Sequence, residues 1–207
     1  MIFRVQPKII ATVTLLLGPG IAASAAEGVD PYAEPPPRYL RQFAVEGVKI
    51  FVLERFDAAG NLAARTVERL TSDVIIDGPI ERALAGWRIR LRGLNPCPSE
   101  SVVYNRIQVW RCADAAKDYA GVVYNRRASV VLCKTLVLDE DRDRALPASC
   151  FLLVGGEGEP LRTVYDDDSM VYLGLAAIAR TPDGRSRRQD LEASQALSRS
   201  MGFQNAD

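Results

Sequence analysis

Arg88, Arg90 and Arg92 alternate along one apolar run, and that run ends in the corner "LRGLNPCPSE", residues 91–100. A period of two places the three guanidinium groups on one face of a strand. Arginine forks suit phosphate oxygens, so the row reads either as a phosphate-facing set or as the solvated face of a sheet. Corners of this kind often carry catalytic carboxylates. This one offers Asn95, Pro96, Cys97 and Pro98, with Glu100 just beyond. Other acid-rich stretches are "DEDRDR" at 139–144 and "DDD" at 166–168. The first begins like a calcium loop, but Arg144 and Cys150 stand where that loop needs glycine and glutamate, which leaves a solvated hairpin tip. The second reads as a helix N-cap with surface charge. The chain contains no histidine, which excludes a Ser-His-Asp triad and any histidine general base.

The elements that must position these groups follow from pattern. Residues 1–25 carry Arg4 and Lys8, a short apolar run to Leu17 and small residues around Ala23 and Ala25, the signature of a secretory signal peptide. The run is too short for a membrane span, and no later segment is long and apolar enough, so a periplasmic or secreted protein is expected. Without that leader, 24 basic residues face 26 acidic ones, a balance that argues against a general nucleic-acid binder. Residues 26–43 are proline-rich and read as a poorly ordered linker. Residues 44–70 read as an additional β-hairpin turning at "DAAGN".

From residue 71 the pattern gives three short strands, broken at Asp77-Gly78-Pro79 and Ala85-Gly86. A helix follows near 112–125, with Ala115, Tyr119, Val122 and Val123 on one face. Two apolar strands, a short helix stopped at Gly174 and a last helix complete the chain. The last helix has Leu191, Ala193, Ala196, Leu197 and Met201 as its expected buried stripe. Trp87 and Trp110 are expected as core or disulfide-packing aromatics rather than stacking on bases. The fold class is mainly β with α, a small closed or partly closed barrel.

Residues 71–207 resemble the staphylococcal-nuclease-like (thermonuclease) family. "VIIDGPI" matches the family's V-x-D-G-D-T turn at Asp77 and Gly78, and "RLRGLNPCP" matches its R-L-x-G corner at Arg90, Leu91 and Gly93. "WRCADAA", "VVLCK", "DEDRDRALPASC", "MVYLGLA" and "LEASQALSRSMGFQ" follow in the family's order. The resemblance implies a five-stranded OB-type barrel with a mid-chain helix and a C-terminal helix. It also implies Ca²⁺-dependent phosphodiester hydrolysis, with carboxylates on the metal, a glutamate base and two charge-stabilising arginines. Carried over residue by residue, Arg90 is the first arginine and Arg144 the second, with Arg142 as its alternative. Asp77 and Asn95 are the surviving candidate metal ligands. The remaining ligand positions fall on Pro79 and Pro96, and the base position falls on Pro98, with Glu100 the nearest replacement. Ca²⁺ binding is therefore expected to be weak or absent.

Four cysteines in an exported chain read as two disulfides, with three possible connectivities. Cys97–Cys112 and Cys133–Cys150 are the expected pairs, since each closes a local loop, worth roughly 3 kcal/mol by chain entropy. A catalytically impaired pseudo-nuclease that still binds nucleic acid or nucleotide phosphate is the leading functional expectation. An active nuclease with a metal site rebuilt from Asp77, Asn95, Glu100 or Asp139, and a non-catalytic interaction module, are the alternatives.

Overall fold

A computed structural model describes residues 30–97, 102–105, 108–138, 141–155 and 160–203. The expected signal peptide, Pro98, Glu100 and Asp139 lie outside the described residues. The chain opens with a one-turn helix, α1 (Pro37–Arg41), and a hairpin of β1 (Ile50–Phe56) and β2 (Leu62–Arg69). The hairpin turns where expected. The Asp57 carboxylate accepts the backbone N–H groups of Ala59 and Asn61 at 2.9 and 2.8 Å, and Gly60 takes a φ of 81°.

An antiparallel meander follows, of β3 (Ile75–Gly78), β4 (Glu81–Leu84) and β5 (Trp87–Leu91). Its breaks fall at the two predicted turns. Beyond it come β6 (Leu94–Pro96) and a small hairpin of β7 (Val102–Asn105) and β8 (Gln108–Arg111). Helix α2 (Cys112–Gly121) runs on into a π-helical turn, Val122–Arg127. The long strands β9 (Ala128–Thr135) and β10 (Leu146–Val154) are antiparallel neighbours. The chain continues through β11 (Arg162–Tyr165), α3 (Asp166–Tyr172), β12 (Ala176–Ile178) and α4 (Glu192–Ser200).

The main sheet runs β2-β1-β9-β10-β5-β4-β3, with β11 also on β10. The molecule is thus mixed α+β with one large sheet, and the described residues form no closed barrel. Closure would need the free edge of β9 to return to the meander at β3. That edge is instead filled by β1, parallel to β9 over Ile50–Arg55. The 44–70 hairpin is therefore an integral part of the sheet rather than an appendage.

The central strands are buried on both faces. Phe51, Leu53, Val131, Cys133 and Leu152 join a large core with Trp87, Ala116 and Met170. Ile50, Val52, Val130, Leu132, Phe151 and Leu153 form a second core on the opposite face, closed by Leu40 of α1. Residues 30–43 are thus not a loose linker. Leu40 is fully buried, and Tyr39 and Phe43 pack on the same core.

Two helix faces differ from expectation. In α2 the buried positions are Cys112, Ala116 and Ala120, with Ala115 and Tyr119 only flanking; of the expected face, Val123 in the π-helical turn is buried. In α4 the predicted stripe is exposed from Ala193 onward. Ser198 is buried instead, and its hydroxyl donates to the Phe203 carbonyl. Trp87 is in the core, whereas Trp110 is 40% exposed. The disulfides join Cys97 to Cys112 and Cys133 to Cys150, the pairs chosen from the sequence, and two such bonds fit an oxidising compartment.

Candidate functional site

The expected site residues lie along β5 and the turns at its two ends. Trp87, Ile89 and Leu91 point into the core, so Arg88 and Arg90 stand on the outer face. Arg90 is directly opposite Glu81 on β4, and its Nη1 donates to the Glu81 carboxylate at 3.0 Å. The Arg92 guanidinium lies 3.8 Å from the centre of the Tyr32 ring. The arginine row therefore spends one member on a surface ion pair and another on an aromatic ring.

Strand β10 lies parallel to β5 with Leu146 beside Ile89, which sets residues 142–144 beside the start of β5. That is roughly 10 Å along the strand from Arg90. Arg142 covers the Trp87 ring at 4.5 Å and donates to the Ala85 carbonyl (3.1 Å) and to Glu68 (3.3 Å). Arg144 is exposed, as are Asp77 and Asn95. Asn95 sits in β6, paired with Ala177, beyond the far end of β5.

These residues do not fit a Ca²⁺ ion. Among the described residues, no three acidic, histidine or cysteine side chains are grouped to hold a metal. The backbone carbonyls of Gly78 and Pro79, the neutral oxygens next to Asp77, accept hydrogen bonds from Arg82 Nη1 at 3.3 and 3.1 Å. They face a cation already.

That arginine opens a second layer. Arg82 and Arg188 have fully buried side chains, and so do two adjacent aspartates at the start of α3. Arg82 donates to Asp166 at 3.2 Å, and Tyr124 donates to the same oxygen at 2.8 Å. Arg188 donates to Asp167 at 2.5 Å, and it also binds Asp190 and the Tyr165 hydroxyl. Ser149 donates its hydroxyl to Asp167 at 2.9 Å, and the N–H of Cys150 does so at 3.3 Å. The "DDD" run is therefore not a cap with surface charge: Tyr165 holds the N-cap position and no side chain caps the helix.

Each buried arginine also holds one turn of the expected site. Arg82 grips the Gly78–Pro79 turn. Arg188 donates to the Arg92 carbonyl at 2.8 Å, where Gly93 bends the chain at a φ of 65°. A Cβ on Gly93 would come within 2.8 Å of the Arg188 stem, so this glycine is required for the close approach as well as for the turn.

Burial sets the protonation behaviour of the pairs. It pushes the Asp167 carboxyl up to about 6 against the pull of Arg188, and it drives the Tyr124 hydroxyl well above its ordinary value, with Asp166 adding to the rise. Burial pulls Arg82 down, but Asp166 and Tyr124 more than offset it and hold it above its ordinary value. A bare buried charge is costly, so these pairs hold only as sets.

No protein-family model matches the chain, and no curated protein matches it.

Proposed function

We propose that the protein is an exported pseudo-nuclease, a disulfide-stapled module with a thermonuclease-like chain path that contacts phosphate without cutting it. The Arg90–Glu81 pair carries this reading. The arginine that would stabilise charge on a phosphoryl group is neutralised by its cross-strand neighbour, while prolines occupy positions 79, 96 and 98. The path of meander, helix α2 and antiparallel β9–β10, with β5 parallel to β10, supports an OB-type arrangement opened at β9 by the extra hairpin. The apolar, basic N-terminus supports export through a cleaved leader.

A half-exposed ion pair is worth only about 0–1 kcal/mol, so a phosphate can compete with Glu81 for Arg90. Binding should therefore be weak and should fall steeply with salt. The test is single-stranded DNA binding at low salt. Arg90→Ala should abolish it, and Glu81→Gln should tighten it by releasing the guanidinium. If neither variant changes binding, the arginine reading fails.

The non-catalytic interaction module is the second reading, and exposed Trp110 favours it. That residue lies in β8 two residues from Cys112 of the Cys97–Cys112 staple, an aromatic 40% exposed to solvent. No DNA binding at low salt, even in Glu81→Gln, would leave this reading standing.

A further inference from the structure

A groove of about 530 Å³ lies between the 44–49 turn, the end of the π-helical turn and Leu161. It shares no lining residue with the expected phosphate site. Its size falls within the range of small-molecule pockets, roughly 300–1,000 Å³. Its walls divide by chemistry. Ala44, Val45, Val48, Ala128 and Leu161 make an apolar trough, and Val45 and Leu161 stay 54% and 39% exposed. Among the described lining residues, Lys49, Arg126 and Arg127 bring three cations to the same groove, against one acid, Glu46. A chain with equal numbers of acidic and basic residues thus concentrates positive charge beside exposed apolar surface here.

Lys49 adds a more specific point. One of its three donors goes to the Asn125 carbonyl at 3.0 Å. Its ammonium is partly desolvated, which lowers its affinity for the proton, and Asp73 only partly restores it. An anion in the groove would return the charge stabilisation that burial has removed.

We infer that this groove binds an amphiphilic anion, an alkyl chain carrying a carboxylate or phosphate head. The chain lies along Val45, Val48 and Leu161, and the head meets Lys49 and Arg126. The inference is independent of the pseudo-nuclease reading, because the two sites use different residues.

The test titrates dodecanoate and dodecyl phosphate, each below its micelle threshold, into the oxidised protein by calorimetry. Both should bind with one-to-one stoichiometry. Inorganic phosphate, which lacks the chain, and dodecyltrimethylammonium, which reverses the charge, should bind at least about tenfold more weakly. The double variant Lys49→Gln/Arg126→Gln should weaken dodecanoate by about tenfold or more, since charge-assisted hydrogen bonds are the strong ones. Val45→Asp should weaken it as well, with unchanged far-UV circular dichroism as the control for folding. Vesicles of anionic phospholipid separate the two sources of such a head group. Binding of the monomers without vesicle co-sedimentation identifies a free amphiphile, and co-sedimentation lost in the double variant identifies a lipid head group. Equal binding of the cationic and anionic amphiphiles overturns the inference. So does binding or co-sedimentation that survives both the double variant and Val45→Asp.

Discussion

Arginine and carboxylate meet in two regions of this molecule, with opposite consequences. Beneath α3, Arg82–Asp166 and Arg188–Asp167 are sealed from water; Arg82, Arg188 and Asp167 each make further hydrogen bonds, and Asp166 accepts one more, from Tyr124. On the outer face of β5, Arg90 and Glu81 make one hydrogen bond, with side chains 46% and 34% exposed. Sealed pairs are expensive to break and fix the backbone around them. Exposed pairs are nearly free to break and leave their members available to a ligand. The two regions are physically joined, since the sealed arginines grip the turns at residues 78–79 and 92, which flank the exposed face. The fold spends its strongest electrostatics on shaping that face rather than on reactive groups within it.

The largest effect should come from breaking a sealed pair. Arg82→Ala strands Asp166 and frees the Gly78–Pro79 carbonyls, and it should cost about 3–5 kcal/mol in urea denaturation. A loss below about 1 kcal/mol would erase the distinction between the regions. Removing Cys133–Cys150 should cost about 2–4 kcal/mol. It also loosens the strand whose Cys150 N–H donates to Asp167, so the loss should shrink in an Asp167→Asn background.

Titration gives the next effect. The Asp167 carboxyl is raised in the folded state to about 6 from 3.8, so its contribution is full below pH 3.8 and lost as pH rises through 6. Stability should therefore fall between about pH 4 and pH 7, by on the order of 1–3 kcal/mol. Asp190 has a lowered value and works in the opposite direction, but its contribution changes only below pH 3.8, outside this window. The chain has no histidine to supply a competing slope. Asp167→Asn should flatten the profile, and a slope that persists in that variant would refute the assignment. The smallest effect belongs to the exposed face: Arg90→Ala should change stability by less than about 1 kcal/mol.

Much of the fold was legible in the residues, because strands and turns are written locally. The Asp77-Gly78-Pro79 and Ala85-Gly86 breaks and the Gly174 helix stop all carry their own backbone chemistry, with Ala85 and Gly86 at φ 49° and 76° and Gly174 at φ 70°. The insertion of β1 beside β9 was not legible, because nothing in residues 44–70 says which strand they will pair. The burial of Leu40 does have a sequence signal: Tyr39, Leu40 and Phe43 recur at helical spacing inside a proline-rich stretch.

The buried pairs left partial signals too. Alternation along β4 sets Arg82 on the same inward face as Ile80 and Leu84. Asp166 and Asp167 stand four residues before the buried Met170 and Val171, the spacing of one helix face. Both signals are weak because charged residues are almost always exposed unless paired, and the pairing partners lie far away in the chain. Arg188 left no such trace, because it lies in irregular chain and the two groups through which it joins α3 to the corner, Asp167 and the Arg92 carbonyl, are 21 and 96 residues away.

The central claim is that this face contacts phosphate without hydrolysing it. The most direct measurement is cleavage of DNA and RNA by the purified, oxidised chain from Ala26 onward, in Ca²⁺ and then in EDTA. The expected result is no cleavage above background in either condition, alongside Arg90-dependent binding at low salt. Robust cleavage that is lost in EDTA and in Arg90→Ala would contradict the account and direct attention to Glu100 as a relocated base.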